Sequence, residues 1–258
     1  MAGQNTFAWH CNEIEAQADL FADHLGGADL SAPVASCPGW TLVQLARHVD
    51  GGLRWARDIV ASRADTPPPD TALRDLSAAP DGDVDHAGTA IRSAATELAA
   101  TLREAGPAAQ MWCPVPGGGA AFFARRFAHE TAMHRADAAL ALGIDYVIPA
   151  FLAVDGVEEW LELGCMPFHF DVHPWMRELL GPGRTIGLHA TDTADDWVLD
   201  FTGDALAWRR GPEATAAELR GAVTDLLLVL YRRRPVTTVE VRGDADLVDF
   251  WMERVAFG

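Results

Sequence analysis

A chain of 258 residues with 49% apolar residues can bury a sizeable core, as one large domain or two small ones. Its formal net charge of −17 would repel a nucleic-acid duplex or an anionic lipid surface, and neither is an expected partner. No apolar run approaches the roughly 20 residues of a membrane span, and the N-terminus carries no basic flank or apolar signal core, so a cytoplasmic location is expected.

Residues 7–25 form an amphipathic helical pattern, with Phe7, Cys11, Ile14, Ala18, Phe21 and Leu25 on one stripe, and Gly26-Gly27 ends it. Pro33 and Pro38-Gly39 mark the following stretch as loop. Thr41 opens a second helix, with Gln44 three residues on as the partner of a capping box, running through His48 to about Ser62. Pro67-Pro68-Pro69 and Pro80-Asp81-Gly82-Asp83 belong to an acidic, exposed connection. A third helix is expected over about 85–105 and is broken by Gly106-Pro107. A loop through Trp112 to Gly119 then leads into a Pro-free, Gly-free run from Ala120 to Leu142, a fourth helix with Gly143 as its stop. Four such helices suggest a bundle whose core can gather side chains at one site.

After about Pro149 the texture changes. Residues 151–163 read as a fifth helix and 164–182 as irregular. Three short strands are expected over 185–190, 197–201 and 205–208, then a helix over 215–231 and a strand over 237–242. A last helix is capped by Asp244. The expected class is α+β, with a helical bundle over 1–149 and a smaller α+β domain over 150–258.

Within the fourth helix, Glu130 and His134 are four apart and so only about 40° apart in azimuth, close enough to bind one ion. His129 lies about 140° from His134 and cannot share that ion on a straight helix, so the run is not the H-E-x-x-H motif. Asp137 stays near the Glu130/His134 face, while Arg135 points elsewhere. A Glu/His pair at this spacing also arises by chance on helices. A metal would need a further ligand, and His48 is the candidate, readable equally as a core histidine hydrogen-bonded to backbone.

His169 and His173 share helical ligand spacing but lie in a Pro-bounded aromatic segment. Gly117-Gly118-Gly119 lacks a strand before it and reads as a flexible lead-in turn. The four cysteines, Cys11, Cys37, Cys113 and Cys165, are widely spread without a C-x-x-C pair and read as free thiols. Cys37 has no adjacent base and reads as a packed residue positioning its loop, and Trp40 and Trp112 as core or pocket wall.

Cys37-Pro38-Gly39-Trp40-Thr41, then His48, then His129-Glu130-x-x-x-His134-Arg135-x-Asp137, resembles the mycothiol-dependent maleylpyruvate isomerase family. Gly183-Arg184-Thr185-Ile186, His189-Ala190-Thr191-Asp192, Trp197 and Glu240-Val241-Arg242-Gly243-Asp244-Ala245 resemble that family's C-terminal domain. The resemblance implies a DinB-like four-helix N-terminal domain and a divalent metal, usually zinc, on His48, Glu130 and His134. It also implies mycothiol as thiol cosubstrate. All 20 basic residues are Arg, which fits the actinobacterial source that the resemblance implies.

The family tends to place Gly-Arg after the apolar helix of its second domain, the Arg serving an anionic substrate. Here Arg232 stands where Gly would, in Tyr231-Arg232-Arg233-Arg234-Pro235, so that role passes to Arg233. A basic helix C-terminus complementing the macrodipole explains the cluster equally well. The resemblance implies an enzyme that adds an activated thiolate to a small electrophile, as an isomerase or as a mycothiol S-transferase. Two His and one carboxylate are also the ligand set of a non-haem iron oxygenase. A non-catalytic metal-binding or thiol-sensing protein is the third reading.

Overall fold

The computed structural model describes residues 2–70 and 84–255. The Pro80–Asp83 connection read as exposed lies outside the described residues. The chain divides into two compact units, Met1–Tyr146 and Val147–Gly258.

The first unit is a bundle of α1 (Ala2–Leu25), α2 (Leu42–Ser62), α3 (Val84–Ala105) and α4 (Ala120–Leu142). α1 packs along α3 and α4, and α2 packs along the same two. The stripe foreseen on α1 is buried as Phe7, Cys11, Ile14, Ala18, Phe21 and Leu25. On α2 the buried positions Leu42, Leu45, Val49, Leu53, Ala56 and Val60 recur every three or four residues, the spacing of a helix with one face to a core. α2 begins where Gln44 Oε1 accepts the Thr41 backbone N–H at 2.8 Å, satisfying a donor that the first turn leaves over.

α4 differs from its neighbours. From Phe127 to Ala139 it is buried on almost every side, although the stretch holds His129, His134, Arg135 and Asp137. Buried charges are costly unless paired. Arg135 is accordingly bonded through Nε to Gln17 Oε1 of α1 at 2.8 Å, with its guanidinium 4.3 Å from the Tyr146 ring centre. Gly119 precedes this helix because the Ala109 carbonyl approaches too closely for a side chain, a Cβ there falling 2.4 Å from its oxygen. The turn is thus dictated by packing.

The second unit combines α5 (Ala150–Gly164), α6 (His169–Val172), a 3-10 turn (Pro174–Leu179), β1 (Thr185–Ala190), β2 (Asp196–Asp200), β3 (Ala207–Arg210), β4 (Ala217–Gly221), α7 (Val223–Leu230), a 3-10 turn (Val236–Thr238), β5 (Glu240–Gly243) and α8 (Ala245–Arg254). The strands form one mixed sheet in the order β3-β2-β1-β4-β5, antiparallel except for the parallel pair β1–β4. α7 packs on β1 and β4 and against α5, and Trp160 meets Trp251 edge to face at 5.9 Å. Asp244 caps α8 as expected, its carboxylate accepting from Leu247 N at 3.0 Å.

Three expectations need correction. Residues 215–231, read as one helix, split into β4 and α7. Ala217 and Leu219 are fully buried while Glu218 and Arg220 stay partly exposed, a period of two. Backbone pairing with β1 and β5 on either side overrides the helix preference of Ala, Glu, Leu and Arg. α7 then starts under a remote cap, Val223 N donating to Asp192 Oδ1 at 2.8 Å. Residues 164–182, read as irregular, hold α6 and a 3-10 turn, elements too short for a periodic signal. The third strand also lies two residues later than expected.

Gly143 ends α4 at φ 67°, ψ 27°, and a Cβ there would meet nothing within 4 Å. Gly143→Ala should therefore cost only the left-handed backbone penalty, about 1–2 kcal/mol. Denaturant unfolding measures it; an unchanged midpoint would show that this cap contributes nothing to the helix bearing the site.

Candidate metal centre

The capped start of α2 and the buried middle of α4 bring His48, Glu130 and His134 together. His134 Nε2 lies 3.1 Å from Glu130 Oε1, and His48 Nε2 lies 3.6 Å from the same oxygen. The three donor atoms all fall within 4.8 Å of one another, the compactness needed for a shared ion. The His48 and His134 rings meet edge to face at 4.9 Å, and Trp40, just before the cap, sits 5.0 Å from the His48 ring. Trp40 is thus a wall of this site. Trp112 instead packs edge to face on Trp55 at 6.0 Å, against the core.

Two of the three donors are oriented by a further partner. The other nitrogen of His134, Nδ1, lies 2.8 Å from Asp137 Oδ2, and Asp137 is fully buried. A carboxylate on Nδ1 fixes the ring and leaves Nε2 to face Glu130 and His48, the usual second partner of a metal-binding histidine. The other oxygen of Glu130, Oε2, accepts from Arg126 at 3.3 Å, one turn back on α4. Cys37 Sγ donates to Asp137 Oδ2 at 3.6 Å. Arg126 escaped the sequence reading, although its i,i+4 spacing to Glu130 was visible. The Cys37 contact spans 100 positions and left no local signal.

The charges follow from these contacts. Burial alone would raise the Glu130 carboxyl, but hydrogen bonds from His134 and His48, with the nearby charges of His134 and Arg126, hold it well below the ordinary carboxylate range. Burial alone would lower His134, yet Asp137, Cys37 and Glu130 together lift it well above the usual imidazole value. Without metal, these contacts favour the protonated form of His134, between Asp137 and Glu130. Removing its Nε2 proton turns a lone pair toward Glu130 and His48, so an ion and a proton compete for one atom.

Other residues singled out in the sequence are not part of this donor set. His129 is buried with its ring 6.2 Å from His10, outside the His48 group. His169 Nε2 hydrogen-bonds the Leu163 carbonyl at 3.0 Å and its ring stacks 6.2 Å from His173; among the described residues the pair gathers no third metal-type donor. Arg233 belongs to the second unit, bonded to the Tyr231 carbonyl at 2.8 Å, in the wall of a surface hollow of about 650 Å³. Arg232 takes a left-handed φ of 58°, the geometry that favours glycine, and its guanidinium reaches the carbonyls of Met252 and Val255. Arg234 pairs with Asp225. All four cysteines are free, and burial pushes the Cys11 thiol up to about 11 and Cys165 up to about 12.

The clasp has a pH signature in the metal-free protein. His134 is raised on folding, so its contribution is complete below its unfolded value near 6.5 and fades as pH climbs through the folded value. Glu130 is lowered, so its contribution is complete above about 4.5 and fades as pH falls through the folded value. The stability difference between wild type and His134→Gln should therefore be largest between about 4.5 and 6.5 and shrink in alkali. Unfolding curves across pH measure it, and a difference that stays flat from acid to alkali would contradict the clasp.

The family described as "Mycothiol maleylpyruvate isomerase N-terminal domain" matches residues 11–139. Among solved structures, the chain is similar to the mycothiol-dependent maleylpyruvate isomerase, with a TM-score of 0.63 and 13% identity, covering 91% of this chain and 92% of that one. A structure of a histidine-to-alanine mutant of the mycothiol-dependent maleylpyruvate isomerase matches over the same shares at a TM-score of 0.61. No curated protein sequence gives a significant match.

Proposed function

The chain belongs to the mycothiol maleylpyruvate isomerase family, and from that membership and the convergence of His48, Glu130 and His134 we propose a metal-dependent enzyme that uses mycothiol on a small electrophile. The observation that carries the reading is the donor set: two imidazole nitrogens and one carboxylate oxygen within 4.8 Å, with His134 held from behind by Asp137. Such a set fits a divalent ion, and three protein ligands leave positions open. A zinc ion there would supply a Lewis acid that lowers the pKa of a sulfur ligand.

The chain's own residues hold and orient. His48 and His134 would present Nε2 and Glu130 Oε1, Arg126 keeps the second Glu130 oxygen engaged, and Trp40 walls one side of His48. Burial has raised the thiols of Cys11 and Cys165, so neither is suited to replace an external thiol at neutral pH. In an isomerase of this type the thiolate sulfur adds to one carbon of the cis double bond of maleylpyruvate, whose π electrons move onto the conjugated carbonyl as an enolate and later return to expel the sulfur. Rotation about the resulting single bond and expulsion of the thiol give the trans product. In an S-transferase the adduct is released intact. Arg233, in an Arg-rich segment, is proposed to pair with a carboxylate of an anionic acceptor, where a guanidinium bonds in bidentate fashion.

Metal analysis of variants tests the ligand set. His48→Ala and His134→Ala should abolish stoichiometric metal, whereas His129→Ala should leave it bound. Retention in His48→Ala with loss in His129→Ala would overturn the assignment. The thiol reading is checked by supplying holo-protein with mycothiol or glutathione and maleylpyruvate or other electrophiles: turnover is expected with mycothiol and little with glutathione. Iron content with oxygen consumption would instead mark an oxygenase, and metal binding without thiol-dependent turnover a sensor.

Arg233→Ala should lower turnover on anionic acceptors on the order of a hundredfold, the scale of a misplaced reactant, and much less on neutral ones. Steady-state kinetics on both acceptor types would show it; an equal loss on the two would assign the cluster a structural role.

A further inference from the structure

We propose that Cys37 is a positioning residue of the metal centre, acting through Asp137 on His134. The inference rests on the metal reading above. Asp137 is fully buried, and a buried carboxylate persists only where donors surround it. Its Oδ2 takes His134 Nδ1 at 2.8 Å and the Cys37 thiol at 3.6 Å. The oxygen that orients His134 is therefore itself held by a side chain from outside α4.

The loop carrying Cys37 is tightly built. Cys37 N donates to the Val34 carbonyl at 3.0 Å, Trp40 N to the Cys37 carbonyl at 3.0 Å, and Val34 N to the Trp40 carbonyl at 2.9 Å. Pro33 and Thr41 form an antiparallel bridge that closes it. The same closed turn delivers Trp40 against the His48 ring and Thr41 to the capping box of α2. At one point the loop touches the helix bearing His48, and through Cys37 it touches the carboxylate behind His134. One short loop thus sets the spacing between ligands on two helices, and Cys37 is its contact with the second.

A cysteine that merely fills space would behave differently. Cys37 does pack against the core. If volume were its whole role, Ser would lose as much as Ala or more. If its donor matters, Ser rescues what Ala loses.

Metal affinity decides between these without reference to turnover. Zn²⁺ is titrated into metal-free, full-length protein against a chromophoric chelator, and Co²⁺ replaces it for d–d spectra. Loss of an outer partner of a metal ligand commonly weakens binding about 10–100-fold. Asp137→Asn is expected in that range, Cys37→Ala at about tenfold, its lower end, and Cys37→Ser near wild type. The Co²⁺ envelope should shift in Cys37→Ala and overlay wild type in Cys37→Ser. Cys113→Ala, whose thiol bonds the Val115 carbonyl instead, should change nothing.

Thermal unfolding of the metal-free variants checks that each is folded. Should Asp137→Asn fail to fold, the Cys37 pair carries the decision. Wild-type affinity and spectrum in Cys37→Ala, or equal loss in Ala and Ser, overturns the proposal while the metal site stands. Absence of stoichiometric metal in wild type would instead overturn the metal reading, and this inference with it.

Discussion

A carboxylate buried in the middle of a helix bundle constrains everything around it. Asp137 is removed from water, and its charge is sustained by His134 Nδ1 and the Cys37 thiol. His134 in turn reaches Glu130, which is held from its other oxygen by Arg126. This line of alternating charge occupies one side of α4, the helix whose central part is buried most completely. Asp137, His134 and Glu130 are tolerated there because each is paired. Because each contact shares a group with the next, the chain of contacts behaves as a unit.

The loop before α2 joins this line to the second helix of the site. Its closed turn ends in Trp40 and Thr41, and the capping box then sets the first turn of the helix carrying His48. The result is a donor set assembled from two elements, whose separation depends on the intervening turn and on α3 packed against both. Rigidity of this kind is what a metal site requires, since ligand geometry must be held within a few tenths of an ångström.

The second unit obeys a different logic. Its mixed sheet centres on β1, flanked by an antiparallel and a parallel neighbour, with α7 packed against β1 and β4. Asp192, in the turn after β1, caps the start of α7, and Arg232 after its end ties the chain to the terminal turn of α8. Arg232 sits in a backbone geometry that glycine adopts at least cost, and its guanidinium bonds offset that strain. The family resemblance places glycine at this position, and the backbone geometry supplies the reason. Arg233, next in the chain, lies beside a surface hollow.

Much of this was determined by the sequence alone. Periodicity marked the first bundle helix, composition and breakers the others, Thr41/Gln44 and Gly143 marked two helix ends, and the 40° offset of Glu130 and His134 made them candidate partners. These are local properties, set by helix geometry and backbone preference within a few residues. The strand at 217–221 was not legible, because helix-favouring residues became a strand only through backbone pairing with β1 and β5. Nor was the role of Cys37, which meets Asp137 across 100 positions, and the meeting of His48 with Glu130 was implied by the family resemblance but by no spacing rule. Those contacts depend on how separate helices pack, and no short-range rule encodes a distance between residues that the chain brings together only after it has folded.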